Sequence, residues 1–372
     1  MRAVVLVGGE GTRLRPLTFE TPKPLLPVAN QVFLDRQLGW LAAYGVDEVG
    51  LSLGYLPSAF IDHYPEGTFT DPAGRTVQLH YAQEPTPLGT AGAVRFAAEQ
   101  LGVRERFVVC NGDVLTGLDL GALLAFHEAR HAEATIHLAA VEEPSRFGVV
   151  PTDERGRVLA FVEKPAPGTE PTRWINAGTY VLEPSVLERI APERPVSIEF
   201  DTFPGMLETG GALYARPSDS YWIDVGAPAQ YLQAHADLLA GRLGTPPAPG
   251  AREVSPGVWV QGAGPAPAGV AAPALVGERH QIDPSADVVG SVLGAGVQVG
   301  ARATVVDAVV HDGVTIGPDA TVRASIVGAG TVVGATATVE AGSIVGPHVT
   351  VDAGATLTGE RRPPSDSPAA RA

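Results

Sequence analysis

The sequence predicts an α/β domain on a mainly parallel sheet, followed by a left-handed parallel β-helix. Three observations predict it. Strand-like and helix-like segments alternate over residues 1–240, the βαβα order that builds a parallel sheet with helices on both faces. From Ile282 onward aliphatic residues recur every five or six positions, and a hexapeptide period marks a prism-shaped β-helix. The 372-residue chain carries 44 glycines and 33 prolines against 6% aromatics, a balance that demands abundant turns.

The elements follow in order. AVVLVGG (3–9) is a buried strand running into a glycine loop. FLDRQLGWLAAYG (33–45) has helical spacing and stops on Gly45. EVGLSLG (48–54) and TVQLHYA (76–82) read as strands, and TAGAVRFAAEQLG (90–102) as a helix. RFVVCNGD (106–113) is a strand entering a turn, LGALLAFHEARH (120–131) a helix, and ATIHLAAV (134–141) a strand. Ligands of such sheets sit at the carboxyl ends of the strands, where both GGEGTR and NGD fall.

Residues 241–281 turn rich in Gly, Pro and Ala and read as a linker with irregular structure. Residues 282–358 hold the repeat, with aliphatics at Ile282, Val288, Leu293, Val299, Val305, Val310, Ile316, Val322, Val327, Val333, Val339, Val345, Val351 and Leu357. Each should point inward, three hexads should close one coil, and coil-on-coil burial should hold the solenoid. The tail 359–372, rich in Pro, Ser and Ala, reads as disordered.

The formal net charge is −15. A nucleic-acid surface should be basic, and no basic run appears, so phosphates would have to be held by a few local cations, backbone amides or a metal. No apolar run reaches transmembrane length, so neither a nucleic acid nor a membrane is an expected partner. The single cysteine, Cys110, leaves no internal disulfide and reads as a small buried residue at a strand end. The chain opens directly on a strand-like MRAVVLVGG without the parts of a signal peptide, which predicts a cytoplasmic protein.

Only two of the 26 basic residues are lysines, Lys23 and Lys164. Arginine serves elsewhere, so these two positions are candidates for chemistry that needs a compact ammonium rather than a wide planar fork. Lys23 follows the glycine loop GGEGTRLR (8–15), and Lys164 sits in FVEKP (161–165). The loop is neither a Walker loop, lacking GK[ST], nor a dinucleotide fingerprint, lacking the third glycine. Glycines 8, 9 and 11 let backbone amides turn toward an anion, and Arg13 adds a fork for phosphate oxygens.

Joined to TPKPLLPV, the loop resembles the signature of the sugar-1-phosphate nucleotidyltransferases. PLGTAGA (87–93), NGD (111–113), FGVVPTDERGRVLAFVEKP (147–165), NAGTYVL (176–182), SIEFDTFPGM (197–206) and WIDVGAP (222–228) follow in the family's order. The wording of PKPLLPV, PLGTAGA and NGDVLTG is most similar to the mannose-1-phosphate guanylyltransferase branch that carries a C-terminal hexapeptide β-helix. Ala227 stands where the family often has Thr, and Val7 where Ala is common.

The resemblance implies a Rossmann-like mixed, mainly parallel sheet, and a reaction in which a sugar-1-phosphate oxygen attacks the α-phosphate of a nucleoside triphosphate in line and pyrophosphate leaves. The substrates it implies are GTP and mannose-1-phosphate, and its cofactor is Mg²⁺. It implies that Arg13 and Lys23 grip the triphosphate and that Lys164 holds the phosphate of the sugar. Gly8, Gly9, Gly11, Thr12, Gln83, Gly89 and Thr90 would bind the nucleotide. Asn111, Gly148, Glu163, Asn176 and Gly178 would surround the sugar phosphate. Asp113 and Asp224 would carry the metal, although an Asp after Asn-Gly is commonly just a turn residue.

Several readings stay open at this level. The same chemistry could use another hexose-1-phosphate, such as glucose-1-phosphate, with UTP or dTTP. The chain could be a non-catalytic nucleotide-sugar sensor. His311 and His348 could serve an acyltransferase built on the β-helix, but they read better as surface-corner residues. Trp174 and Trp222 flank motifs and should pack the site walls. Stacked β-helices often self-associate, so a homo-oligomer is expected.

Overall fold

The computed structural model describes residues 1–366 and separates into two compact units. One comprises Met1–Gly9 and Leu34–Trp222; the other comprises Glu10–Phe33 and the chain from Ile223 onward.

The first unit is organised by a ten-stranded sheet. Its centre is parallel, in the order Phe107–Asn111, Arg2–Leu6, Glu48–Leu53, Thr76–Gln83. Such strands are covered on both faces and therefore read as continuous apolar runs; Ala3, Val4 and Val5 are all fully buried. Trp174–Leu182 joins antiparallel to Phe107–Asn111, Ala134–Ala140 pairs antiparallel with it, and Leu213–Ser218 adds parallel to Ala134–Ala140. The sheet is thus mixed, as expected. Helices Gly89–Gln100 and Leu120–Ala129 form where predicted, the second capped by Asp119, whose Oδ1 accepts the Ala122 N–H at 3.0 Å. An N-cap of this kind stabilises by about 1 kcal/mol. The core gathers Val4, Val94, Phe107, Val109, Tyr180 and Phe203, each such side chain contributing roughly 1.5–3 kcal/mol by leaving water.

The carboxyl ends of the four parallel strands lead into Gly8 and Gly9, Gly54, Glu84, and Gly112 with Asp113. These ends converge closely. The Gly8 carbonyl accepts the Tyr55 N–H at 3.2 Å, and the Leu6 carbonyl accepts that of Gly112 at 2.9 Å.

In the second unit the repeat forms a parallel β-helix with three ladders. Val288, Val305, Val322 and Val339 stack in one register, as do Val299, Ile316, Val333 and Val351 in another. The early coils close after 17 residues, as in the bond from Ala308 N–H to Ser291 Oγ. The five-residue interval in the sequence is therefore a shortened corner, not a lost hexad. Every predicted inward aliphatic from Val288 to Leu357 is buried.

Three expectations need correction here. Residues 241–281 are not merely a linker: Ala251–Ser255 and Val258–Gln261 form a hairpin, and Val258–Gln261 runs parallel to Ala274–Val276, which pairs with Ser291–Leu293. These strands extend one β-helix face, and their hexad signal is hidden by prolines and glycines at the corners. The tail begins with a further strand, Arg361–Arg362, paired to Ile344–Val345; backbone ladder bonds continue there without an inward aliphatic. The rest of the predicted disordered tail, 367–372, lies outside the described residues. His311 is no surface corner: it is buried, with Nε2 2.9 Å from the Tyr231 hydroxyl. His348 is exposed. Among the described residues no helix is long and apolar enough to cross a membrane.

Candidate active site

The predicted residues divide between the two units. In the first, Asn111 ends its strand, and Gly112 and Asp113 make the turn. That turn is stapled from below by Gln37, a buried residue on helix Phe33–Ala43, whose Nε2 donates to the Asn111 carbonyl at 2.8 Å and to the Val114 carbonyl at 2.9 Å. Sequence reading passed over Gln37. The signal was there: a glutamine on the apolar stripe of an amphipathic helix, one helical turn from Leu34 and Leu41.

Across from Asn111, the strand Trp174–Leu182 is interrupted by a register shift between Asn176 and Tyr180. Bulges of this kind re-aim side chains beside active sites. Asn176 Oδ1 accepts the Gly178 N–H at 3.1 Å, and its Nδ2 donates to the Tyr180 hydroxyl at 2.8 Å. Gly178 has φ +71°, and a Cβ there would stand 2.7 Å from Asn111 Nδ2. Only glycine takes that backbone form and leaves room for the amide. Asn111, Asn176 and Gly178 are therefore one constellation.

Beside it, Gly148 pairs with Glu163 in adjacent antiparallel strands. The Glu163 side chain is largely buried, and Lys164 Nζ lies 3.2 Å from its Oε1 while itself 65% exposed. The ammonium end of the pair stands in solvent, where it can meet another anion. Lys164 holds φ +47° and donates its N–H to the Phe147 carbonyl at 3.1 Å. A non-glycine residue in this region is uncommon, although this chain has others at turns and coil corners, such as Arg302 and Asp319. Trp222 donates Nε1 to the Ala177 carbonyl at 2.9 Å and meets the Phe147 ring edge-on at 5.6 Å. Trp174 packs against the sheet core.

Gln83 is exposed at a strand end. Gly89, at φ +69°, presses on Val196, whose carbonyl accepts the Ala91 N–H at 2.9 Å. Thr90 donates to Glu199 Oε2 at 2.7 Å and accepts from Ile198 N at 2.8 Å, so its hydroxyl ties the PLGTAGA loop to the SIEF segment. Cys110 is fully buried, its thiol pushed up to about 12 by burial; it is a structural residue, not a nucleophile.

In the second unit, Gly11 at φ +61° opens a short turn, Thr12–Leu14, that leaves Thr12 and Arg13 exposed above buried Leu14. Thr18 donates Oγ1 to the Gly11 carbonyl at 2.9 Å. A Cβ on Gly11 would stand 3.1 Å from the Lys23 Cβ, so the turn is set against the stem of Lys23. Arg13 and Asp224 converge over Gly226: a Cβ there would lie 2.6 Å from Arg13 Nη2 and 2.7 Å from Asp224 Oδ1. Glycine keeps that cradle open. Carboxylate oxygens at Asp113 and Asp224 are the hard donors that Mg²⁺ prefers, and a carboxylate beside an arginine fork is suited to a metal–phosphate group. By donor type each carboxylate suits the ion, and Asp224 stands beside the Arg13 fork over Gly226.

Known proteins extend this picture. A family model described as nucleotidyl transferase matches residues 2–241, and one described as EIF2B subunit epsilon LbH domain matches residues 266–357. The chain is 41% identical over 307 residues to the mannose-1-phosphate guanylyltransferase of Mycobacterium tuberculosis, covering 79% of this chain and 80% of that protein. It is 42% identical over 237 residues to mannose-1-phosphate guanylyltransferase 1 of Arabidopsis thaliana, covering 62% of this chain and 63% of that relative. The crystal structure of HddC from Yersinia pseudotuberculosis complexed with GMP-PN superimposes with a TM-score of 0.52 at 30% identity, covering 63% of this chain and 97% of that one.

Proposed function

Since the chain belongs to the nucleotidyl transferase family, we propose that it transfers a guanylyl group from GTP to mannose-1-phosphate, releasing pyrophosphate and forming GDP-mannose. The observation that carries the reading is the Gly226 cradle, where Arg13 and Asp224 are held together. Mannose and guanine are supported by the names of the relatives and by the guanosine-type ligand named with the HddC structure.

In this reading an oxygen of the sugar-1-phosphate forms a bond to the α-phosphorus as the bond to the pyrophosphate oxygen breaks on the opposite side. Little covalent work falls on the protein; positioning and charge neutralisation supply the rate. Arg13 and Lys23 hold the triphosphate and offset the charge that develops on pyrophosphate. Lys164 aligns the phosphate of the attacking substrate, and Glu163, Asn111, Asn176 and Gly178 orient the hexose. Mg²⁺, held through Asp113 and Asp224, would draw charge from the phosphate oxygens when bound. Gly8, Gly9, Gly11, Thr12, Gln83, Gly89 and Thr90 complete the nucleotide contacts of this reading.

A cytoplasmic location and a homo-oligomer belong to the same proposal. Sedimentation would count the subunits. The deciding experiment for the activity is pyrophosphate release with Mg²⁺, mannose-1-phosphate or glucose-1-phosphate, and each of five nucleoside triphosphates. Preference for GTP with mannose-1-phosphate upholds the reading. Preference for glucose-1-phosphate with UTP or dTTP overturns the substrates. No release with any pair, together with GDP-mannose binding, would make the chain a sensor.

A further inference from the structure

The segment Glu10–Phe33 carries Arg13 and Lys23 between the first strand and first helix of the sheet, yet it belongs to the same compact unit as the β-helix. Its contacts there are specific. Near its start, Arg361 on the last β-helix strand donates Nη1 to the Arg15 carbonyl at 2.8 Å. The next residue, Pro16, fills the space over Gly346, where a Cβ would stand 3.1 Å from the proline ring. Near its end, Asn30 Nδ2 donates to the Leu293 carbonyl at 2.8 Å and to Gln261 Oε1 at 3.1 Å. Between these, the Tyr231 hydroxyl meets the Pro27 carbonyl and His311 Nε2.

The proton count at Tyr231 fixes the direction of each bond. A carbonyl only accepts, so the hydroxyl proton goes to Pro27, and His311 must donate its Nε2–H to the tyrosine oxygen. Tyr231 is anchored in turn by helix Pro228–Leu239, where its own carbonyl meets His235 Nδ1 at 2.7 Å. Tyr231, His235 and His311 are all buried. A buried polar chain with each member satisfied fixes one arrangement of the backbone it touches.

We propose that Tyr231, His311, Asn30 and Arg361 are positioning residues for Arg13 and Lys23. The β-helix is the template on which the phosphate-gripping segment is set, a role beyond assembly. This rests on the reading that Arg13 and Lys23 bind the triphosphate. It follows from the placement of the clamps: Arg361 and Gly346 hold the chain two to three residues after Arg13, and Tyr231 with His311 holds it four residues after Lys23. Functional loops need such a rigid support to keep their side chains in productive geometry.

The test uses the full chain with Tyr231→Phe, Arg361→Ala and Arg361→Lys. Hydrogen exchange is followed across residues 10–33 and 34–222, with KM measured for each substrate and Mg²⁺·GTP binding measured at equilibrium. Tyr231→Phe and Arg361→Ala should each speed exchange within 10–33 and leave 34–222 unchanged. Each should raise KM for the triphosphate about fivefold, the usual worth of one hydrogen bond, with KM for the hexose-1-phosphate within twofold. Arg361→Lys, which keeps a donor, should recover most of the loss. Unchanged exchange in 10–33 together with unchanged triphosphate affinity in both variants overturns the proposal, as does an equal rise of exchange in both units. A wild-type chain without turnover would defeat the catalytic reading alone, since exchange and GTP binding still decide this one.

Discussion

Glu163 places its Oε2 only 2.7 Å from the point where a Cβ on Gly148 would stand. The strand pair that joins these residues therefore works only with glycine at 148, and the same missing atom also makes room for the Phe161 ring. Gly148→Ala should push the carboxylate aside while leaving the fold standing, because Phe161 is partly buried at the edge of the core and can yield. The expected result is a rise of about tenfold in KM for the hexose-1-phosphate, roughly 1.4 kcal/mol, with little change in KM for the triphosphate. Equal loss for both substrates would remove Glu163 from the sugar side.

Gly226→Ala tests the opposite side of the reaction. The added methyl would collide with Arg13 Nη2 and Asp224 Oδ1 together, so both must move. A misplacement of about 1 Å in a positioning group costs about a hundredfold. Turnover should fall by that order, and excess Mg²⁺ should recover only part of it, because the arginine is displaced as well. Full recovery with Mg²⁺ would show that only the metal ligand matters.

Lys164 separates charge from shape. Lys164→Ala should weaken use of the sugar-1-phosphate far more than binding of the triphosphate. Lys164→Arg keeps the charge but replaces a compact ammonium by a planar fork, on a residue already held at φ +47°. It should fail to restore activity fully, although the chain uses arginine almost everywhere else. Steady-state kinetics with both substrates varied would check it, and a fully active arginine variant would reduce the lysine to a compositional accident.

Much of this is legible in the sequence. The strand-to-helix alternation and the hexad aliphatics report burial, and burial is written directly in residue type and period. Contacts made through backbone carbonyls are not written that way. Gln37 shows the limit: its two acceptors, on Asn111 and Val114, are carbonyls that any residue would supply. His311 shows it again, since a histidine at a β-helix corner is exposed unless another element covers it, and helix Pro228–Leu239 is that cover. The extra strands at 251–276 and Arg361–Arg362 escaped notice because ladder bonds need no particular side chain.

Gln37 also yields a stability test. Its Oε1 is buried without a hydrogen-bond partner, so the side chain is retained for its two N–H donors. Gln37→Glu would replace those donors with oxygen facing two carbonyls, while Gln37→Met would only leave the carbonyls unserved. An orphaned buried acceptor costs about 1–3 kcal/mol, so Met should lower stability by a few kcal/mol at most, and Glu by more. Chemical denaturation would rank them, and a Glu variant as stable as wild type would mean the NGD turn is held by other means.

The histidines set the acid limit of the fold. Burial lowers His137 to about 4, helped by the nearby Arg216, and burial alone lowers His311 to about 4. Burial also lowers His127, against the opposing pull of its hydrogen bond to Glu183. Unfolded, each would take a proton near 6.5. Between pH 6.5 and 4 the unfolded chain therefore binds protons that the native chain refuses, and stability falls as pH drops. Above 6.5 the contribution is complete. The slope is about 1.4 kcal/mol per pH unit for each such histidine. Carboxylates held low by hydrogen bonds and arginines, such as Asp71 and Glu133, begin to lose their contribution as pH falls into the ordinary carboxylate range, below about 5, so the decline from pH 6.5 to about 5 belongs to the histidines. Melting temperature should accordingly decline steadily from pH 6.5 to 4. His311→Gln keeps a side-chain N–H for Tyr231 and cannot titrate, so it should make the decline shallower. A profile flat through this range in the wild type, or one that Gln at 311 leaves equally steep, would mean that His311 is protonated in the native fold.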